Sequence, residues 1–201
     1  FIENDSFDSL DPRLSFTGRL HAAGDLRRGL MINWKYYPAS RKPPKIIRDV
    51  IATFEAKESV IDSLLPENSG KNSNEVLADL RPSLEKLGFN VEKGKRKKDM
   101  INVPVLFGRQ GSVSKSFRAD AFCEESGFVL EIEAGRAIAN NAFLKDLFQA
   151  CMMYEVKYLG IAVRNDYRNS NDFESMLGWF DALYASERLQ LPLEGVLAIG
   201  Y

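Results

Sequence analysis

The chain is predicted to fold as an α/β domain with a mixed central β-sheet flanked by helices. Three observations carry that prediction. From Asn74 onward, segments with apolar residues at helical spacing alternate with short strand-like runs, the pattern of a layered α/β protein. Residues 118–134 read as a tight β-hairpin, which adds an antiparallel pair to the sheet. With 201 residues, 45% of them hydrophobic, the chain can bury one well-packed core, and one domain over 1–201 is the expectation.

Residues 1–43 carry Gly18, Gly24, Gly29 and Pro38, which break any long period, and they read as an irregular N-terminal arm or subdomain. Trp34, Tyr36 and Tyr37 within it could stack on bases, but aromatic core packing is the simpler expectation. Ile46, Ile47, Val50, Ile51, Phe54, Val60, Ile61, Leu64 and Leu65 then recur at helical spacing. Pro44 suits the first turn and Pro66 a stop, so one long helix is predicted over 44–65. A polar loop leads into 74–201, the expected α/β core.

A second helix is predicted over 74–87, with a kink or two abutting helices at Pro82. Phe89 to Glu92 and Ile101 to Phe107 read as strands around a basic loop, and Gly108 to Ser114 as a turn-rich connection. After the hairpin, Asn140 or Asn141 can cap a largely apolar helix from Ala142 to about Glu155. A strand over 158–163, a helix through Phe173, Met176, Phe180 and Tyr184, and a strand over 196–199 complete the order.

The hairpin is the most informative element. Ser126-Gly127 is a favourable two-residue turn, and the register it sets puts Cys123 opposite Leu130 and Asp120 opposite Glu133. One face then holds Ala119, Ala121, Cys123, Phe128, Leu130 and Ile132. The other holds Phe122 and Val129 together with Asp120, Glu131 and Glu133. No Lys or Arg interleaves the three acids. Carboxylates grouped this way repel unless they share protons or a cation, and a hard divalent ion such as Mg²⁺ is the usual partner.

Other chemistries are poorly supported. His21 is the only histidine, so a Ser/His/Asp or Cys/His system would hang on one residue. No Cys/His spacing suits zinc, and no phosphate loop or dinucleotide fingerprint is present. Cys123 and Cys151 fit apolar surroundings better than a disulfide. The formal net charge of -1 argues against an indiscriminate polycation, although Lys93, Lys95, Arg96, Lys97 and Lys98 form a dense local positive run. No apolar run approaches the roughly 20 residues needed to span a bilayer, and no charged-then-apolar leader opens the chain; a cytoplasmic protein with no membrane partner is the expectation.

Asp120 followed by Glu131-Ile132-Glu133 resembles the PD-(D/E)xK nuclease superfamily, the fold of many type II restriction endonucleases. There an Asp on one strand precedes an acidic residue, any residue and Lys on the next, after a helix that often holds another acid. Glu133 stands where Lys is usual, which is similar to the branch of restriction enzymes with Glu-x-Glu. The resemblance covers roughly residues 74–165 and rests on three carboxylates. It implies a restriction endonuclease-like fold and a Mg²⁺-dependent DNA endonuclease, with Mn²⁺ as a substitute cation, double-stranded DNA as substrate and a homodimer as the assembly.

On that resemblance Asp120 and Glu131 are the metal ligands, with the Ile132 carbonyl as a third oxygen. Glu133 is either a general base or a ligand of a second metal. Glu75 is the helix acid, with Asp79 as an equal candidate and a simple helix-start role as the plain alternative. Lys145, which shares a helix face with Gln149, is a candidate replacement for the missing Lys. Lys95, Arg96, Lys97 and Arg136 are candidate phosphate contacts. The rival expectation is a non-catalytic nucleic-acid or protein-binding module on the same fold, and a third is a merely solvated acidic hairpin face.

Overall fold

A computed structural model describes residues 32–201 apart from 136, 139 and 169. Of the arm expected over residues 1–43, residues 1–31, with His21 among them, lie outside the described residues, as does Arg136. The described elements run β1 (Asn33–Tyr37), α1 (Lys45–Glu55), α2 (Glu58–Ile61), α3 (Ser73–Lys86), β2 (Asn90–Val91), β3 (Ile101–Phe107), β4 (Val113–Ala119), β5 (Ala121–Cys123), β6 (Phe128–Glu133), α4 (Ala142–Met152), β7 (Tyr158–Val163), α5 (Asp172–Ser186) and β8 (Gly195–Gly200). This is a mixed α/β architecture, as the alternation of periods predicts. A six-stranded sheet has the order β1-β8-β7-β6-β5-β2, and β3 and β4 form a separate two-stranded ribbon. β6, β7 and β8 are parallel at the centre, while β1, β5 and β2 pair antiparallel at the flanks.

The central strands are buried on both faces and read as nearly continuous apolar runs, as parallel strands covered by helices do. On one face α1 contributes Ile47, Val50 and Phe54, and α3 contributes Val76, Leu77, Leu80 and Leu84, all packed over Leu130, Ile132 and Leu197. On the other, α4 supplies Phe143, Leu147 and Ala150, and α5 supplies Phe173, Met176 and Phe180, over Val129, Ile161 and Ala198. Each central strand divides its side chains between two cores by its period of two.

Five expectations are corrected. Residues 33–37 are not irregular: Trp34 to Tyr37 alternate sides as an edge strand on β8, and the Tyr37 hydroxyl donates to Asp181 at 2.7 Å. The helix expected over 44–65 ends at Glu55, and only the single turn Glu58–Ile61 follows it. The apolar spacing beyond it belongs partly to surface, since Leu64 is exposed. Helix α3 runs unbroken through Pro82, so no pair of abutting helices forms. Helix α4 ends at Met152, short of the expected Glu155, and part of its apolar surface is exposed at Phe148 and Met152.

The acidic hairpin is the correction that matters most. Chain 118–123 is not one strand: β4 pairs with β3 in the ribbon, β5 pairs with β2 and β6 in the main sheet, and Asp120 lies between them. The turn is Glu124 to Gly127 rather than two residues, with the Gly127 N–H donating to the Glu124 carbonyl. Gly127 has φ 65°, and a Cβ there would meet the Glu155 carbonyl at 2.5 Å. The longer turn shifts the register by two, so Cys123 faces Phe128 and Ala121 faces Leu130. A shift of two keeps every side chain of β5 and β6 on its predicted face, whereas a shift of one would have reversed them. Only Ala119, beyond the switch at Asp120, joins the opposite core from Ala121.

Candidate active site

The sheet switch places Asp120 where the ribbon meets the main sheet. Its backbone carbonyl accepts from the Glu92 N–H at 2.8 Å, and its side-chain Oδ2 accepts from the Ile132 N–H at 2.8 Å. The side chain is thus held across to β6, on which Glu131 and Glu133 alternate with Ile132. Asp120, Glu131, Ile132 and Glu133 line one open cleft of about 450 Å³. Helix α4 closes another wall with Lys145, Asp146 and Gln149, and β4 and the end of β2 supply Arg118 and Glu92.

Asp146 is the residue that the sequence reading missed. It is 5% exposed, its Oδ1 pairs with Lys145 Nζ at 3.1 Å, and its buried Oδ2 receives no hydrogen bond from an amide, hydroxyl or cationic group. It lies on the same stripe of α4 as Phe143, Leu147 and Ala150, and an acid on a core-facing stripe was the available signal. Glu92 was also missed as a site residue. It sits one residue beyond β2, and Arg118 donates to both of its oxygens at 3.2 Å.

Crowding of carboxyl groups in a partly dry cleft opposes their ionisation. Burial pushes Asp120 up to about 6, its bond from the Ile132 N–H opposing the rise, while the charges of Glu92 and Asp146 add to it. Burial, then Asp120 and Asp146, hold Glu131 well above the usual carboxylate range. Glu133 is raised to about 7 by burial and by the charges of Asp146 and Asp120, and it shares a side-chain hydrogen bond with Asp146. Burial likewise raises Asp146, with Lys145 pulling the other way. Lys145 itself is held above the ordinary lysine range, the surrounding acids outweighing its own desolvation.

Of the remaining candidates all but Lys145 lie elsewhere or outside the described residues. Glu75 does not reach the cleft: its Oε2 accepts from the Asn72 N–H at 2.8 Å while Asn72 Oδ1 accepts from the Glu75 N–H at 3.2 Å, a reciprocal cap on α3. Its catalytic assignment is therefore withdrawn. Asp79 is held by Lys71 at 2.6 Å, also outside the cleft. Lys95, Arg96 and Lys97 are exposed in the loop after Glu92 and do not line it; Arg96 pairs with Asp99 at 2.7 Å. Lys145 does line it.

Among the described residues no three His, Cys, Asp or Glu side chains are drawn tightly enough together to hold a metal ion by themselves. The donor set nevertheless suits a hard cation. It consists of carboxylate oxygens, one of them buried and receiving no bond from an amide, hydroxyl or cationic group, and Mg²⁺ is commonly held by only one or two carboxylates together with waters and substrate phosphate. Among the described residues no helix is long and apolar enough to cross a membrane. No family model, no curated protein and no solved structure matches this chain.

Proposed function

We propose that the protein is a Mg²⁺-dependent endonuclease that hydrolyses DNA phosphodiester bonds in the acidic cleft, in the manner of a type II restriction enzyme. One observation carries the reading: Asp120, from the seam between two sheets, and Glu131 and Glu133, from β6, line a single open cleft with the buried acid Asp146. Four carboxyl groups from three elements, raised by burial and mutual repulsion, are a costly arrangement for a solvated surface or a packing face.

Asp120 and Glu131 are the residues that would hold Mg²⁺, with the Ile132 carbonyl as a third oxygen. When bound, that cation supplies charge stabilisation for the phosphoryl oxygens and makes water acidic enough to give hydroxide near neutral pH. The chain's own groups do the rest. The Ile132 N–H fixes the Asp120 carboxylate, leaving its Oδ1 for the cleft. Glu133, paired with Asp146 and raised to about 7, holds or releases a proton near neutrality, which suits the general-base role better than a permanently ionised ligand. Lys145 offsets part of the acidic charge beside Asp146 and faces the cleft where a phosphate would enter.

Double-stranded DNA as the substrate, a homodimer and a cytoplasmic location belong to the same proposal. Two strands to cut with one site per protomer make a two-fold pair the simple geometry. The test is a Mg²⁺ and Mn²⁺ titration on plasmid and linear DNA. Discrete fragments support a restriction enzyme and a smear a nonspecific nuclease. No cutting with either ion, while DNA still binds, would favour the binding module instead.

A further inference from the structure

A second cleft, of about 430 Å³, adjoins the acidic one. Ala134 and Asn72 line it, and the residues next to them in the chain, Glu133 and Ser73, line the first. Ala134 and Arg164 directly follow the carboxyl ends of the parallel strands β6 and β7. The crevice beyond such strand ends is where open α/β sheets place ligands.

Its chemistry is the reverse of its neighbour's. Lys71, Arg164 and Arg168 line it, against Asp166 as the one carboxylate among its described lining residues. Arg164 is the central group and is 7% exposed. Its guanidinium donates to the Ser69 carbonyl at 2.7 Å and to the Lys71 carbonyl, which ties the loop before α3 to the end of β7. Its Nε–H, however, is buried with no partner. Tyr167 separates it from the exposed Arg168, its ring centroid 5.5 Å from the Arg164 Cζ and 5.3 Å from that of Arg168. Gly135 allows that placement: it has φ 146°, and a Cβ there would lie 2.7 Å from the Tyr167 ring.

Arg164 is thus bonded to two carbonyls and to the Tyr201 hydroxyl, with the buried Asp172 close enough to feel its charge, and keeps one N–H without an acceptor. A cationic group with a donor to spare, joined by a second guanidinium beside the N-terminus of α3, favours an anionic oxygen and a phosphate in particular. Lys71 adds positive field only, since its ammonium already bonds Asp79 and the Val60 carbonyl at 2.6 Å each. We infer that this cleft is a subsite for a backbone phosphate of the nucleic-acid strand whose neighbouring phosphodiester lies in the acidic cleft. The inference rests on the proposed nuclease reading and adds to it a binding element contributed by β7 and the α3 entry. The Tyr201 hydroxyl donates to the Glu133 carbonyl at 3.3 Å and accepts a hydrogen bond from Arg164, which links the end of β6 to the central group of the second cleft.

The test uses the full chain in EDTA, so that it reads binding without turnover. The Nε–H resonance of Arg164 is assigned by its loss in Arg164→Lys and followed while an oligonucleotide duplex, and separately inorganic phosphate, is added. A shift with DNA supports the subsite. A shift with inorganic phosphate but none with DNA would overturn the backbone assignment in favour of free phosphate, and no shift with either would overturn the site altogether. Because Arg164→Lys could loosen the loop it ties, Arg168→Ala provides the second arm. That exposed substitution should weaken DNA binding about 3–10-fold and lower the salt slope by about one; an unchanged slope counts against the site. DNA-induced shifts without any Mg²⁺-dependent cleavage would retain the subsite and remove the nuclease reading, while cleavage without shifts would do the opposite.

Discussion

Replacing Asp120 with Asn should make the protein more stable and, on the proposed reading, inactive. Asp120 rises from 3.8 to about 6 on folding. The sign follows from linkage: a carboxyl group with a raised folded pKa contributes its full stability below 3.8, loses it as pH climbs toward 6, and stays ionised at a cost above that. Roughly two pH units at 1.36 kcal/mol each give about 3 kcal/mol of cost at pH 8. Neighbouring Glu131 and Glu133 can take up part of this by shifting their own protons, so roughly half, about 1.5 kcal/mol, is the expected net gain. The amide oxygen of Asn can still accept from the Ile132 N–H, so shape is kept. For a domain of this size the gain corresponds to roughly 3–6 °C in Tm. Thermal unfolding followed by circular dichroism in EDTA should place Asp120→Asn above wild type at pH 8, with the difference shrinking as pH falls from 6 to 4. Mg²⁺ should raise the wild-type Tm and leave the variant's unchanged. A variant less stable at pH 8, or a difference independent of pH, would refute the electrostatic argument; undiminished cleavage would refute the ligand role.

Glu133→Gln should lower Mg²⁺-dependent cleavage by about 10²–10⁴-fold with little change in DNA affinity, because an amide cannot take a proton; single-turnover rates check this, and Glu133→Lys should retain measurable cleavage if the position serves only to activate water. Asp146→Asn should bring the Glu133 proton equilibrium down from about 7, since the Asp146 charge is among the causes that raise it; ¹³C-detected carboxyl titration of Glu133 reads the shift directly, and an unmoved midpoint would separate the two residues. Replacing Lys95, Arg96 and Lys97 with Ala should weaken DNA binding and flatten its salt dependence, because each phosphate contact releases counterions; an unchanged slope makes this loop a solvated turn. Leu80→Ala, at a fully buried position under the sheet, should cost about 2–5 kcal/mol in urea unfolding without altering the cleft residues.

The parts legible in the sequence are those governed by period. Alternation alone placed Glu131 and Glu133 on one face of β6 and Leu130 and Ile132 on the other, because that assignment survives any even register shift. Turn length was not legible, since Ser126-Gly127 suits a two-residue turn while the fold uses four residues from Glu124. Asp120 was read within one strand, although it ends one pairing and begins another; the choice between β3 and β6 as partners is made by tertiary packing that no local pattern reports. Glu75 misled because a capping acid and a catalytic acid look alike at a helix start. Asp146 was missed because the helix was read for its apolar residues and Lys145, and the acid among them was passed over.

The seam at Asp120 divides structural duties within a single stretch of chain. The ribbon β3–β4 reaches the acidic cleft at its Ala119 end and carries its turn, Gly108 to Ser112, at the opposite end, seven residues away along β4. The carboxylate itself is fastened to the Ile132 amide of the main sheet and not to the ribbon. The body of the ribbon is packed into the core through Val103 and Ala119 and tied to the chain after α4 by the Tyr154 N–H donating to the Pro104 carbonyl at 2.8 Å, whereas its tip from Leu106 to Lys115 is exposed. A change of side chain at that tip is therefore felt by solvent and by whatever meets the ribbon, and not by the carboxylates at its base.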